Sequence, residues 1–176
     1  MLMRKINAGL SLLTTILLLN HAIFLAAWML SKGAIPMSVS VAPWVLAGVV
    51  FAHAFISIYL AVAAHQDTEK RKVKTYTKMN RATIIQRATG VLMMLFVPLH
   101  VAGAAGFMQP PKLVHVIVPA LFFTIVLGHV AVSTSKALIT LGIGNAKFVK
   151  VADIVIKVIC AATLIAALTG FYLYQV

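Results

Sequence analysis

The stretch LVHVIVPALFFTIVLGHVAVSTSKAL, residues 113–138, decides the fold. Its only charged side chain is Lys136, near the end, and it exceeds the roughly 20 apolar residues that span a bilayer core. Four more stretches read the same way: residues 6–30, 41–64, 82–107 and 151–174. Gly33 and Pro36, the basic stretch 65–81, Gln109-Pro110-Pro111 and Gly142–Gly144 separate them, and helices do not run easily through such punctuation. Backbone polar groups in hydrocarbon must be satisfied within their own segment, so each stretch is expected to be helical. The chain is 62% hydrophobic, where a soluble domain is nearer half. The expectation is an all-α fold, one membrane domain of five transmembrane helices over residues 1–176. No soluble catalytic domain is expected, so water-phase chemistry is expected to fall to partners.

The first span follows Arg4 and Lys5, as a signal peptide would. Its apolar run is about twice the length of a signal core, and no small-x-small cleavage site follows, so it is expected to stay as a helix. Cys160 is alone, which excludes a disulfide framework and a cysteine-ligated cluster.

The net charge is +12, from 15 Lys+Arg against 3 Asp+Glu. Such a balance can mark a nucleic-acid binder, but here the charge sits in short connections, so it reads as a topology signal and a lipid contact instead. Arg4, Lys5, Lys70, Arg71, Lys72, Lys74, Lys78, Arg81, Arg87, Lys136, Lys147, Lys150 and Lys157 fall on one side, and Lys32 and Lys112 on the other. The positive-inside rule places the N-terminus in the cytoplasm and the C-terminus outside a cytoplasmic (inner) membrane. The basic connection serves orientation and headgroup contact, or equally a docking face for a partner or for cofactor carboxylates. Trp28, Trp44 and Tyr174 read as interfacial anchors.

An ionisable group inside lipid is costly and calls for a functional reason. Of six histidines, His65 and His115 lie at span ends, where a solvated imidazole costs little. His21, His53, His100 and His129 lie one each in spans one to four. At ~1.5 Å per residue, His21 is ~20 Å and His100 ~27 Å from the inner start of its span. His53 and His129 lie ~18 Å and ~24 Å down from the outer side. The four sort into an outer pair, His21 with His100, and an inner pair, His53 with His129. Imidazoles approaching from different helices suit six-coordinate haem iron. Zn or Cu also takes imidazole but wants three or four close ligands, and no carboxylate lies in a span core. Histidines hydrogen-bonded between helices, with no metal, are the plainer reading.

Span three opens Gln86-Arg87-Ala88-Thr89-Gly90, and His100 follows ten residues after the glycine. This resembles the Q-x-x-T-G…H pattern in the di-haem cytochrome b subunit of quinol:fumarate reductases and of succinate dehydrogenases with a single five-helix anchor. His53-Ala54-Phe55 and Gly128-His129 are similar to that family's ligand-bearing segments, and His21 completes the set. The Q-x-x-T-G element that the family can carry in span one is eroded in residues 7–13. The resemblance covers nearly the whole chain. It implies two haem b groups, an outer one on His21 and His100 and an inner one on His53 and His129. It further implies a flavoprotein subunit that interconverts fumarate and succinate, and an iron–sulfur subunit docked on the cytoplasmic face. Electrons would pass between that subunit, the haems and menaquinone, and the complex could itself pair as a dimer. Gly90 would let a porphyrin approach, or serve ordinary helix packing. Pro98 is expected to kink span three. Lys32, Gln109 and His115 are outer polar candidates for the quinone, each with an interfacial alternative. The rivals are a nitrate- or heterodisulfide-reductase type of di-haem subunit, which would use His53/His65 and His115/His129 and leave His21 and His100 idle, and a haem-free channel or transporter.

One departure matters. Some members of the family use a glutamate near the outer quinone site and another in the fourth span to carry protons. Here the outer loops 31–40 and 106–112 hold no acid, and Leu127 stands two residues before His129. Asp67, Glu69 and Asp153, the three acids, lie on or near the inner side. Quinol-linked turnover is therefore expected to generate or consume membrane potential. A voltage-sensitive dye on reconstituted vesicles should respond during turnover, and a silent dye would count against this.

Overall fold

The computed structural model describes residues 2–35, 42–71, 81–104 and 112–175. They form five helices: α1 (Leu2–Leu30), α2 (Pro43–Arg71), α3 (Arg81–Ala104), α4 (Lys112–Leu141) and α5 (Ala146–Gln175), with no strand among the described residues. All five are long and apolar enough to cross a membrane. The shortest, α3, has 24 residues. That is about 36 Å of helix, against a hydrocarbon core of about 30 Å. The all-α, five-helix expectation holds.

The helix ends differ from those read off hydropathy. α1 starts at Leu2, α2 runs on to Arg71 and α5 starts at Ala146. Hydropathy marks where lipid begins, whereas a helix continues into the headgroup layer until a cap stops it. α1 stops where Gly33 N–H bonds to the Trp28 carbonyl and Lys32 N–H to that of Met29, with Lys32 in the left-handed region at φ 50°. α4 ends the same way, Ile143 N–H on Leu138 and Gly142 N–H on Ile139, with glycine now at the left-handed position. Asn145 opens α5 by accepting the Phe148 N–H on its side-chain oxygen at 2.9 Å. Pro43 at the start of α2 lacks an N–H that would have no helical acceptor anyway. The expected end of span three at 107 lies outside the described residues. Pro98 and Pro119 sit inside α3 and α4, which stay helical through them.

α1 and α4 form the centre. α1 packs on α2, α4 and α5, and α4 packs on α1, α3 and α5. α2 and α3 are outer helices, held chiefly by α1 and α4 respectively. None of the most apolar stretch of α3 is buried, and large side chains such as Trp44, Phe55 and Val91 face outward. In water such a surface would be untenable, but in hydrocarbon it is ordinary. The core lies between α1, α4 and α5, where Leu19, Leu127, Val130 and Cys160 cluster, and Ala26, Met29 and Ala167 form a second group.

Apolar side chains gain little by meeting each other in lipid, so close backbone approach has to hold the helices. Gly170 supplies it. A Cβ there would lie 3.0 Å from Met29 Cβ, 3.2 Å from Leu30 N and 3.3 Å from the Ala26 carbonyl oxygen. Gly170→Val is expected to push α5 off α1 and cost about 1–3 kcal/mol, lowering the thermal unfolding midpoint in detergent. Gly48→Ala, where a Cβ meets nothing within 4 Å, should leave that midpoint unchanged or raise it.

Candidate functional site: histidine pairs between helices

The best-defined polar contact between helices joins α3 to α4. Phe122, His129 and Lys136 recur every seven residues and share one face of α4. Thr83, Gln86 and Thr89 recur every three on α3. The helices meet antiparallel along these faces. Lys136 Nζ donates to Thr83 Oγ1 and Gln86 Oε1, each at 2.8 Å. One turn or so further, Thr89 Oγ1 is 2.9 Å from His129 Nδ1. Further still, the His100 ring stacks on Phe122 at 4.9 Å, and Phe96 stacks on the same phenyl at 6.4 Å.

The Thr89 contact bears on which imidazole nitrogen carries the proton. The Thr89 hydroxyl has one hydrogen, and its nearest acceptor is the Ile85 carbonyl at 2.7 Å. When the hydroxyl donates there, its oxygen is free to accept from His129 Nδ1–H. The Gln86 backbone lies close to the same ring. A neutral imidazole in this tautomer keeps the Nε2 lone pair available as a donor to an electrophile.

On the other side of the bundle, His53 of α2 faces α1. One edge of its ring interacts with the Asn7 backbone, while Nδ1 is buried with no hydrogen-bond partner. One turn along, Ser57 donates to Asn7 Oδ1 at 3.1 Å. An orphaned ring nitrogen in a low-dielectric site is expensive unless something else binds there.

The histidines also interact across the bundle. His100 is within electrostatic reach of His21, and His129 of His53. These links run α3 to α1 and α4 to α2, diagonals between helices that are not the main packing partners. The histidines thus come one each from α1, α2, α3 and α4, and each pair offers two imidazoles. No group of three or more His, Cys, Asp or Glu that could hold a bare metal ion occurs among the described residues.

Other sequence candidates fall elsewhere. Gly90 does face this site, but its neighbour is the His129 imidazole: a Cβ would stand 3.4 Å from Cε1, ordinary contact. Lys32 is exposed and occupies the left-handed cap of α1, a structural role the sequence reading missed. Gln109 lies outside the described residues, as do the side chains of His65, His115 and Tyr174. Leu127 is 2% exposed and fills the core behind His129. Asn7, Thr83, Phe122 and Lys136 were not singled out from sequence as partners of the site. The seven-residue spacing about His129 would have found two of them.

In comparisons with family models, with curated proteins and with solved structures, nothing matches this chain.

Thr89→Val removes the acceptor for Nδ1–H at nearly constant volume. It is expected to cost about 1 kcal/mol and to release the His129 tautomer. Side-chain ¹⁵N spectra of histidine-labelled protein should show a single Nδ1–H form for His129 in the parent and a mixture in the variant.

Proposed function

We propose that the chain is a membrane-embedded cytochrome b that carries electrons through two bis-histidine b haems. The observation that supports the reading is that four histidines come one each from four helices, with His100 in electrostatic reach of His21 and His129 of His53. Two axial nitrogens per pair suit an iron whose other four ligands come from a porphyrin. Among the described residues no group of three or more donors joins these positions, which favours haem over Zn or Cu. The buried, unpartnered Nδ1 of His53 fits a ring whose partner is a bound group.

Haem iron supplies a one-electron ferric/ferrous couple held within a low-dielectric bundle. The chain's own contribution is orientation. Thr89 orients the His129 ring, as an outer partner does for a metal-bound imidazole. Asn7 steadies His53 from α1. Phe122 covers the face of His100 and helps to keep water from it.

The likeness of the Gln86–Gly90 segment and its following His100 to the fumarate reductase and succinate dehydrogenase anchors extends the proposal. In that reading the chain sits in the cytoplasmic membrane with its N-terminus inside and exchanges electrons with menaquinone on the outer side. A flavoprotein and an iron–sulfur subunit dock on the basic cytoplasmic face. The fumarate–succinate chemistry then belongs to the flavoprotein, and this chain is anchor and conduit.

A reduced-minus-oxidised spectrum of the purified protein is expected to show b-type bands from two haems per chain. His100→Ala and His129→Ala should each lose about half of that absorbance while keeping the helical circular dichroism of the parent. No b-type absorbance in protein made with ample haem would sink the reading.

A further inference from the structure

Where α4 turns into α5, a cavity of about 660 Å³ opens between the ends of α3, α4 and α5. The histidine pairs do not line it. Three lysines do: Lys136 from α4, and Lys150 and Lys157 from α5. Asp153, the one acid in the lining, is paired with Lys157. Arg87 of α3 is within electrostatic reach of Lys136. Three cations therefore face one carboxylate, and the first turn of α5 at Asn145 and Ala146 adds the positive end of a 30-residue helix. Such a lining calls for an anion.

Most of the remaining side chains of the lining are apolar, with Ser135 and Asn145 the polar exceptions. Val132, Ile139 and Val149 border the lysines, and Ile139 is 66% exposed on the outer surface of α4. A free phosphate would gain nothing from these side chains. A phospholipid would, because its phosphate can meet the lysines while an acyl chain lies along Ile139 and Val132 in the hydrocarbon. The position agrees with this, since Lys136 stands at the polar end of an otherwise uncharged span.

The geometry points to a specific site for one anionic phospholipid at the α3–α4–α5 end of the bundle, its phosphate held by Lys150, Lys157 and Lys136. The lipid clamps the α4–α5 turn against α3, a contact that otherwise rests on the Lys136 bonds to Thr83 and Gln86. The site stands whether or not the bundle carries haem, because neither pair of histidines contributes to it.

The test uses the full chain, purified in detergent and depleted of lipid. Dioleoylphosphatidylglycerol, dioleoylphosphatidylcholine and inorganic phosphate are added separately, and bound lipid is read by native mass spectrometry alongside the unfolding midpoint. Phosphatidylglycerol is expected to bind at one molecule per chain and raise the midpoint, with phosphatidylcholine and phosphate doing neither. The double variant Lys150→Gln/Lys157→Gln should weaken phosphatidylglycerol binding about tenfold or more, while Lys147→Gln, outside the lining, should not. Equal binding of the two lipids, or undiminished binding by the double variant, would overturn the site. Stabilisation by inorganic phosphate equal to that by phosphatidylglycerol would assign the lysines to a free anion and overturn the lipid.

Discussion

In hydrocarbon there is no water to take a hydrogen bond, and this constraint governs the molecule at two levels. Backbone groups meet it by closing into helices, which is why every described element is one. Polar side chains meet it by finding one another. Lys136 reaches Thr83 and Gln86, His129 reaches Thr89, and Ser57 reaches Asn7. These bonds lie between helices, so the same requirement that forms each helix also sets the register in which α3 meets α4 and α2 meets α1.

The bundle divides its packing accordingly. On one side, α1, α4 and α5 approach closely through Ala26, Ala167 and Gly170, with Leu127 and Cys160 filling what remains. On the other, α2 and α3 hang on α1 and α4 and leave most of their surface to lipid. α1 and α4 thus each carry two different faces. Leu127 and Val130 of α4 look into the core, while His129 between them looks toward α3. A turn of 100° per residue is enough to separate scaffold from site on one helix.

That division explains what could be read from the sequence and what could not. Five long apolar runs and the lopsided lysines made the helix number legible, because length against bilayer thickness is a local property. The depth argument pairs His21 with His100 and His53 with His129, and His100 lies within electrostatic reach of His21 and His129 of His53. Depth follows from counting along a helix, so one sequence suffices. The partners of the histidines were harder. Thr89 belonged to a motif noticed for other reasons, and Asn7 carried no signal, since an asparagine near a basic N-terminus looks like any interfacial residue. The role of Lys32 was invisible for a different reason. A left-handed cap is usually glycine, as Gly33 is here at φ 87°, and nothing in a lysine's chemistry announces that Lys32 shares that conformation.

The leucine at position 127 takes on a definite meaning once the packing is known. Position 127 lies in the best-packed part of the core, against Leu19, Val130 and Cys160, and is 2% exposed. A glutamate there would face neither His129 nor water, and its charge would be stranded among methyl groups at a cost of several kcal/mol. Placing an acid there by a single substitution would therefore break the core before it opened a proton route. A route in this chain would have to use other polar groups of the interior, such as Ser11, Thr14, Thr15, Ser133, Thr134 and Thr163, all buried. Hydroxyls of this kind can relay a proton between waters but cannot store one at neutral pH. Among the described residues, the buried interior can therefore relay a proton through hydroxyls but has no buried carboxylate to hold one.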